Sequence, residues 1–114
     1  MELNDFFEKV GGSYAEVMSR FPNEEMVRRF LKKLIGDKTY NELKMAIEAE
    51  DSEGAFRAAH TLKGVAANLG LASLEKAASE LTEALRGICG NIPTEKVAEL
   101  DKVYGIALGL IEQL

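Results

Sequence analysis

The sequence has no tryptophan, one histidine, one cysteine and two prolines among its 114 residues. A lone cysteine, Cys89, excludes an intrachain disulfide and offers no paired metal-ligand spacing, which fits a reducing compartment. Cys89 reads as a small apolar side chain near a helix end. With only Pro22 and Pro93 as breakers, long stretches are open to helix. No segment nears the roughly 18 consecutive apolar residues of a membrane span. The start, Met1-Glu2-Leu3-Asn4-Asp5, lacks the basic stretch and apolar run of a targeting signal, so a cytoplasmic chain without membrane contact is expected. Lysine and arginine number 14 against 19 aspartates and glutamates, for a formal net charge of −5. There is no long basic block, so nucleic acid, whose binding rests on phosphate neutralisation, is not an expected partner. Nor is there a run of alternating β-branched residues bounded by turn signals, so strands are not supported.

What is present is ordinary soluble composition, 46 % hydrophobic and 29 % charged, in a length that suits one domain spanning residues 1–114. There is no internal repeat and no low-complexity segment. Apolar residues recur at threes and fours throughout, predicting an all-α chain. Asn4 or Asp5 is placed to cap a short helix through Phe6, Phe7 and Val10 that stops at Gly11-Gly12. A second short helix is expected from Ser13 to about Arg20, before Pro22. Asn23 caps the next, with Glu24 and Glu25 in its first turn and Lys32 and Lys33 near its end, in keeping with the helix dipole. A break is expected at Gly36-Asp37, with a further helix to about Glu50. Asp51 or Ser52 then caps a helix that runs to Leu69 and stops at Gly70, the residue type suited to a left-handed C′ position. Another follows from Ala72 to Arg86, with Leu74, Ala78, Leu81 and Leu85 on one face, ending near Gly87. Thr94 caps the last, in which Val97, Leu100, Tyr104, Ala107, Ile111 and Leu114 share a register. Long amphipathic helices joined by short loops predict an antiparallel up-down four-helix bundle with short additional N-terminal helices.

The one histidine lies in "AAHTLKGVAANLG", residues 58–70. At roughly 100° per residue, Ala55, Ala58, Leu62, Val65, Ala66 and Leu69 fall opposite His60 and make a core face. Phe56, Arg57, Lys63, Gly64 and Ala67 fall around His60 itself, so the imidazole is expected to point outward. A surface filler is the bland alternative, exposed histidines being common. The neighbours argue for more. Residues three and four positions on cover the same surface, so Lys63 can reach an anion held on the imidazole, and Gly64 leaves a notch where a partner's loop can approach. That access offsets the helix propensity lost relative to alanine, about 1 kcal/mol. Ala67 keeps the strip shallow, and Phe56 offers an aromatic for docking. Each feature has a plainer explanation: close helix packing for Gly64, solvated surface for Lys63, a tucked ring for Phe56. Together they describe an exposed imidazole beside a cation on a smooth surface, which suits a transient phosphoryl acceptor.

These residues also carry a resemblance. Ala59-His60-Thr61-Leu62-Lys63-Gly64, followed by Asn68-Leu69-Gly70 and Leu74, resembles the signature of histidine-containing phosphotransfer (Hpt) domains of two-component phosphorelays. The likeness extends to Leu43, Ala46, Ile47 and Asp51 before the histidine, to Leu81 after it, and to the N-terminal Tyr14-Ala-Glu-Val-Met-Ser-Arg-Phe-Pro-Asn. It covers most of the chain. The resemblance implies His60 as phosphoacceptor, Lys63 as the charge-stabilising lysine and Gly64 as the access-giving glycine. Phe56, Arg57 and Ala67 would be docking residues and Asn68 structural or peripheral. Val65, where many members carry serine or another small residue, is expected to change packing only.

Phosphoryl transfer requires in-line positioning and charge neutralisation, usually with Mg²⁺ held by carboxylates. The sequence shows no glycine-rich nucleotide cradle and no acidic cluster beside His60, so a phosphocarrier without an ATP site or cofactor of its own is expected. The resemblance implies that response-regulator receiver domains supply the aspartate and Mg²⁺, and that a sensor histidine kinase is a further partner. An ordinary imidazole titrates at about 6.5 and is largely neutral at pH 7, as a nucleophile must be. A helical adaptor without chemistry is the alternative. A metal-binding bundle is disfavoured because the Glu-x-x-His spacing is missing, position 57 being Arg57. A chemotaxis-type kinase phosphoacceptor shares the architecture, but no kinase or linker segment is expected after Leu114. A monomer is expected.

Overall fold

The computed structural model describes residues 1–87 and 91–114, so the expectation for Cys89 lies outside the described residues. Seven α-helices run along the described residues, with no strand.

The first is α1 (Leu3–Lys9), which starts earlier than the expected Asn4 or Asp5 cap. Glu2 is its N-cap without a side-chain hydrogen bond. Leu3, Phe6 and Phe7 are all buried, and burying this i, i+3, i+4 set draws Leu3 into the first turn and leaves Asp5 as a first-turn acid. Ser13 caps α2 (Tyr14–Met18) by accepting from the Glu16 amide at 3.2 Å. Asn23 caps α3 (Glu24–Lys33) through the Met26 amide at 2.9 Å. A single 3₁₀ turn, Leu34–Gly36, then makes the expected break. Beyond it the Asp37 carboxylate accepts from the Thr39 amide at 2.8 Å, at the start of α4 (Thr39–Glu48).

Glu50 follows α4 with φ of 56°, a left-handed conformation that the sequence does not announce with a glycine. It is held by the Asp51 amide donating to the Ala46 carbonyl at 2.8 Å. Asp51 then caps α5 (Ser52–Asn68), its carboxylate accepting from the Gly54 amide at 2.9 Å. Gly70 closes α5 as expected, with φ of 72° and the Leu71 amide donating to the Ala66 carbonyl. After α6 (Ala72–Leu85) comes α7 (Thr94–Glu112), where Thr94 is not the cap. Pro93 holds that position with φ of −70°, and its carbonyl accepts from the Val97 amide at 3.2 Å. The ring pre-sets the entry into the helix, so Thr94 is taken up as its first residue.

Helices α4 to α7 form the antiparallel four-helix bundle, packed as α4 on α5, α5 on α6 and α6 on α7. The ring is closed by Tyr40 of α4 stacking on Tyr104 of α7, centroids 4.0 Å apart and planes 6° from parallel. The Tyr40 hydroxyl donates to Asp101 at 2.5 Å and the Lys44 ammonium to its other oxygen at 2.7 Å. Burial and the Asp101 carboxylate together hold the Tyr40 phenol well above its usual range. Leucines 43, 62, 74, 81, 85 and 100 fill the centre.

The short helices cover the end of the bundle where α5 turns into α6. The Ser73 amide donates to the Val10 carbonyl at 3.0 Å, and Phe6 and Phe7 are fully buried in edge-to-face contact. On α5 the buried residues are Ala55, Ala59, Leu62 and Ala66, with Leu69 just beyond, while Ala58 and Val65 are half-buried at the rim. The expected core face is therefore rotated toward α6, because α6 packs against α5 more extensively than α4 does. Buried alanines at 55, 59 and 66 let the neighbouring helices approach closely, which holds α5 firmly while its other face stays open.

Candidate functional site

His60 lies midway along α5 with its side chain exposed, on the face left by that packing. Lys63 and Gly64 follow on the next turn. Lys63 is half-buried and, among the described residues, makes no salt bridge. A Cβ built at Gly64 would meet nothing within 4 Å. Close packing therefore does not explain this glycine. The contrast lies at the end of the helix, where a Cβ on Gly70 would come within 2.3 Å of Val17.

Phe56 is not the exposed aromatic expected from the helical wheel. It is half-buried against the core, and its ring runs parallel to the imidazole of His60, centroids 6.2 Å apart and planes 7° from parallel. The guanidinium of Arg86, just beyond α6, lies 5.1 Å from the Phe56 ring centroid. Arg86 is in turn gripped by Glu83, with Nη2 donating at 2.9 Å and Nε at 3.3 Å. Arg86 holds the Glu83 carboxyl below the usual carboxylate range against a small opposing effect of burial, and Lys63 and His60 lower it further. Glu83 thus shares one electrostatic neighbourhood with both.

Arg57, exposed, is paired with Glu53 at 3.2 Å. It lies beside a groove of about 500 Å³ between α4 and α5, where Met45 is 68 % exposed. Ala67 is half-buried, and its carbonyl accepts from Arg20 Nη1 at 3.4 Å, which brings a further cation from the end of α2 to this face. Asn68 is exposed and borders a second groove with Val65, Leu69 and Phe30. The exposed aromatic on this side is Phe30, packed against Phe21 with the Lys33 ammonium 4.7 Å over its ring.

The structure thus brings His60, Lys63, Gly64, Phe56 and Ala67 onto one strip and sets Arg57 at its α4 edge. It adds Arg20, Glu83, Arg86 and Phe30, which sequence reasoning did not single out. Arg20 is 40 residues from His60 in the chain, and no local pattern signals contacts at such separations. Among the described residues, no group of three or more histidine, cysteine or acidic side chains is placed to hold a metal ion. None of the described helices is long and apolar enough to cross a membrane.

The fold is an antiparallel helical bundle that presents its one histidine on an open face of α5. The family described as "Hpt domain" matches residues 25–108, from the first turn of α3 to near the end of α7, and the chain belongs to it. Membership implies phosphotransfer in two-component signalling, as a phosphocarrier and not an enzyme. Searches of curated proteins and of solved structures returned no match.

Proposed function

We propose that this chain, as a single monomeric domain of the cytoplasm, accepts a phosphoryl group on His60 from the aspartate of a receiver domain or from a sensor kinase, and passes it to another receiver. The observation that carries this is the open space over Gly64, one turn from the exposed side chain of the only histidine. A helix gives up stability there for no packing gain of its own, so the advantage lies with an approaching partner.

In the transfer, a ring-nitrogen lone pair attacks the phosphorus of an aspartyl phosphate. The N–P bond forms, the O–P bond breaks with the carboxylate leaving, and the proton on the other ring nitrogen passes to solvent. The reverse sequence hands the group on. Mg²⁺ would be held by the receiver's carboxylates and would neutralise charge on the phosphoryl oxygens. Lys63 contributes the charge from this side, one turn from the nucleophile. Arg20, Arg57 and the Phe30 aromatic pair add a basic and apolar rim suited to an acidic receiver surface.

Two substitutions test these roles. Lys63→Ala should slow transfer from a phosphorylated receiver by about 10- to 100-fold, the equivalent of a charge-assisted hydrogen bond; an unchanged single-turnover rate would remove the lysine from the mechanism. Gly64→Ala should move stability and rate in opposite directions. Thermal unfolding should show a gain of about 1 kcal/mol, because alanine is the better helix former and its methyl meets nothing. Transfer from the receiver should slow by roughly tenfold or more, the methyl now standing where the partner's backbone approaches. Uptake from phosphoramidate, a donor small enough to need no docking, should be unchanged.

A further inference from the structure

An exposed imidazole is ordinarily free to turn. The second side-chain torsion of histidine is broad, and no hydrogen bond of the His60 ring is found among the described residues. For an in-line attack the lone pair must point along one direction, so a ring held in one plane reacts faster than one that samples many. Among the described residues the aromatic ring beside His60 is Phe56, parallel to the imidazole and within the separation at which aromatic pairs attract. Phe56 is itself restrained. Its body packs against the core, and the Arg86 guanidinium sits over its ring at cation–π distance. Arg86 is fixed by both of its hydrogen bonds to Glu83.

The Arg86–Glu83 pair contributes little to folding. The Arg86 and Glu83 side chains are 58 % and 59 % exposed, and exposed ion pairs add almost nothing to stability. What they do is carry a restraint from the end of α6 to the imidazole on α5. Resting on the reading of His60 as acceptor, we propose that Phe56, braced by the Arg86–Glu83 pair, is a positioning residue that fixes the plane of the His60 imidazole, and that Arg86 influences transfer through it.

The test uses the imidazole itself. With one histidine in the chain, a ring labelled with ¹³C and ¹⁵N gives a single set of signals, whose ring-current shifts and relaxation report orientation and mobility. The same proteins are reacted with phosphoramidate, which transfers its phosphoryl group to the ring nitrogen with loss of ammonia and needs no partner. In Phe56→Leu the ring signals should lose the shift imposed by the neighbouring aromatic, the ring should become more mobile, and uptake should slow by up to about 10-fold. Phe56→Tyr should restore all three. Arg86→Gln should move ring and rate together, in the same direction and less far; being exposed, it carries the test if Phe56→Leu does not fold. Ring signals unmoved in Phe56→Leu would overturn the proposal. So would a slower Arg86→Gln with an unmoved ring, which would place Arg86 directly on the phosphoryl group. If the native chain takes up no phosphoryl group at all, the acceptor reading fails, while the ring measurements still decide whether Phe56 positions the imidazole.

Discussion

His60→Gln is expected to gain no acid-labile phosphoryl group from any donor, while its thermal unfolding midpoint stays within about 2 °C of the native protein. Glutamine keeps a planar polar group over Phe56 but has no nucleophilic nitrogen, its amide lone pair being delocalised into the carbonyl. Stability should hold because His60 is exposed and lies on the face of α5 away from the buried Ala55, Ala59, Leu62 and Ala66. Intact-mass measurement after incubation with phosphoramidate reads the chemistry, and a circular dichroism melt reads the fold. Residual labelling would mean that another side chain accepts the group. A large drop in the midpoint would mean that the histidine is part of the packing and not a free surface group.

Gly70→Ala is expected to do the reverse, with a loss of about 3 kcal/mol in stability, or on the order of 10 °C in midpoint for a domain of this size. Two costs add. The residue sits at φ of 72°, where a side chain is strained, and its Cβ would come within 2.3 Å of a Val17 methyl and 3.2 Å of the Phe7 ring. Both of those side chains are buried and cannot simply swing away. This junction is where α1 and α2 are clamped onto the turn between α5 and α6, so the substitution should loosen the N-terminal helices. The site lies ten residues back along α5, and at temperatures where the variant is folded its uptake of phosphoryl from phosphoramidate should match the native rate. A melt within about 2 °C of native would contradict the clamped junction.

These two glycines show how far the sequence alone can be taken. Gly70 was legible because a left-handed helix terminus has a local chemical signature, as have the Asn23 and Asp51 caps and the interruption at Gly36-Asp37. Gly64 was legible for the opposite reason, as a glycine inside a regular helix where nothing local asks for one. What could not be read were features set by packing. Leu3 is drawn into α1 by burial, Pro93 displaces Thr94 as the cap, and Glu50 takes a left-handed conformation without glycine. The rotation of the buried arc on α5 depends on how closely α6 approaches, which helical periodicity does not encode. That rotation is why Ala59 is buried and Val65 lies at the rim. The same limit applies at the site. His60, Lys63 and Gly64 share one turn of helix, whereas Arg20, Phe30, Glu83 and Arg86 reach the face from other helices and become neighbours only through the tertiary fold.

Transfer from a protein donor separates a phosphoryl carrier from a bundle that only binds. Purified chain is mixed in Mg²⁺ with a receiver domain carrying a phosphoryl group on its aspartate, and the masses of both proteins are followed with time, alongside the His60→Gln variant. The native chain should gain one acid-labile phosphoryl group as the receiver loses its own, and the variant should gain none. No gain by the correctly folded native chain across a broad panel of receivers would contradict the carrier reading, leaving a helical bundle that acts by binding alone.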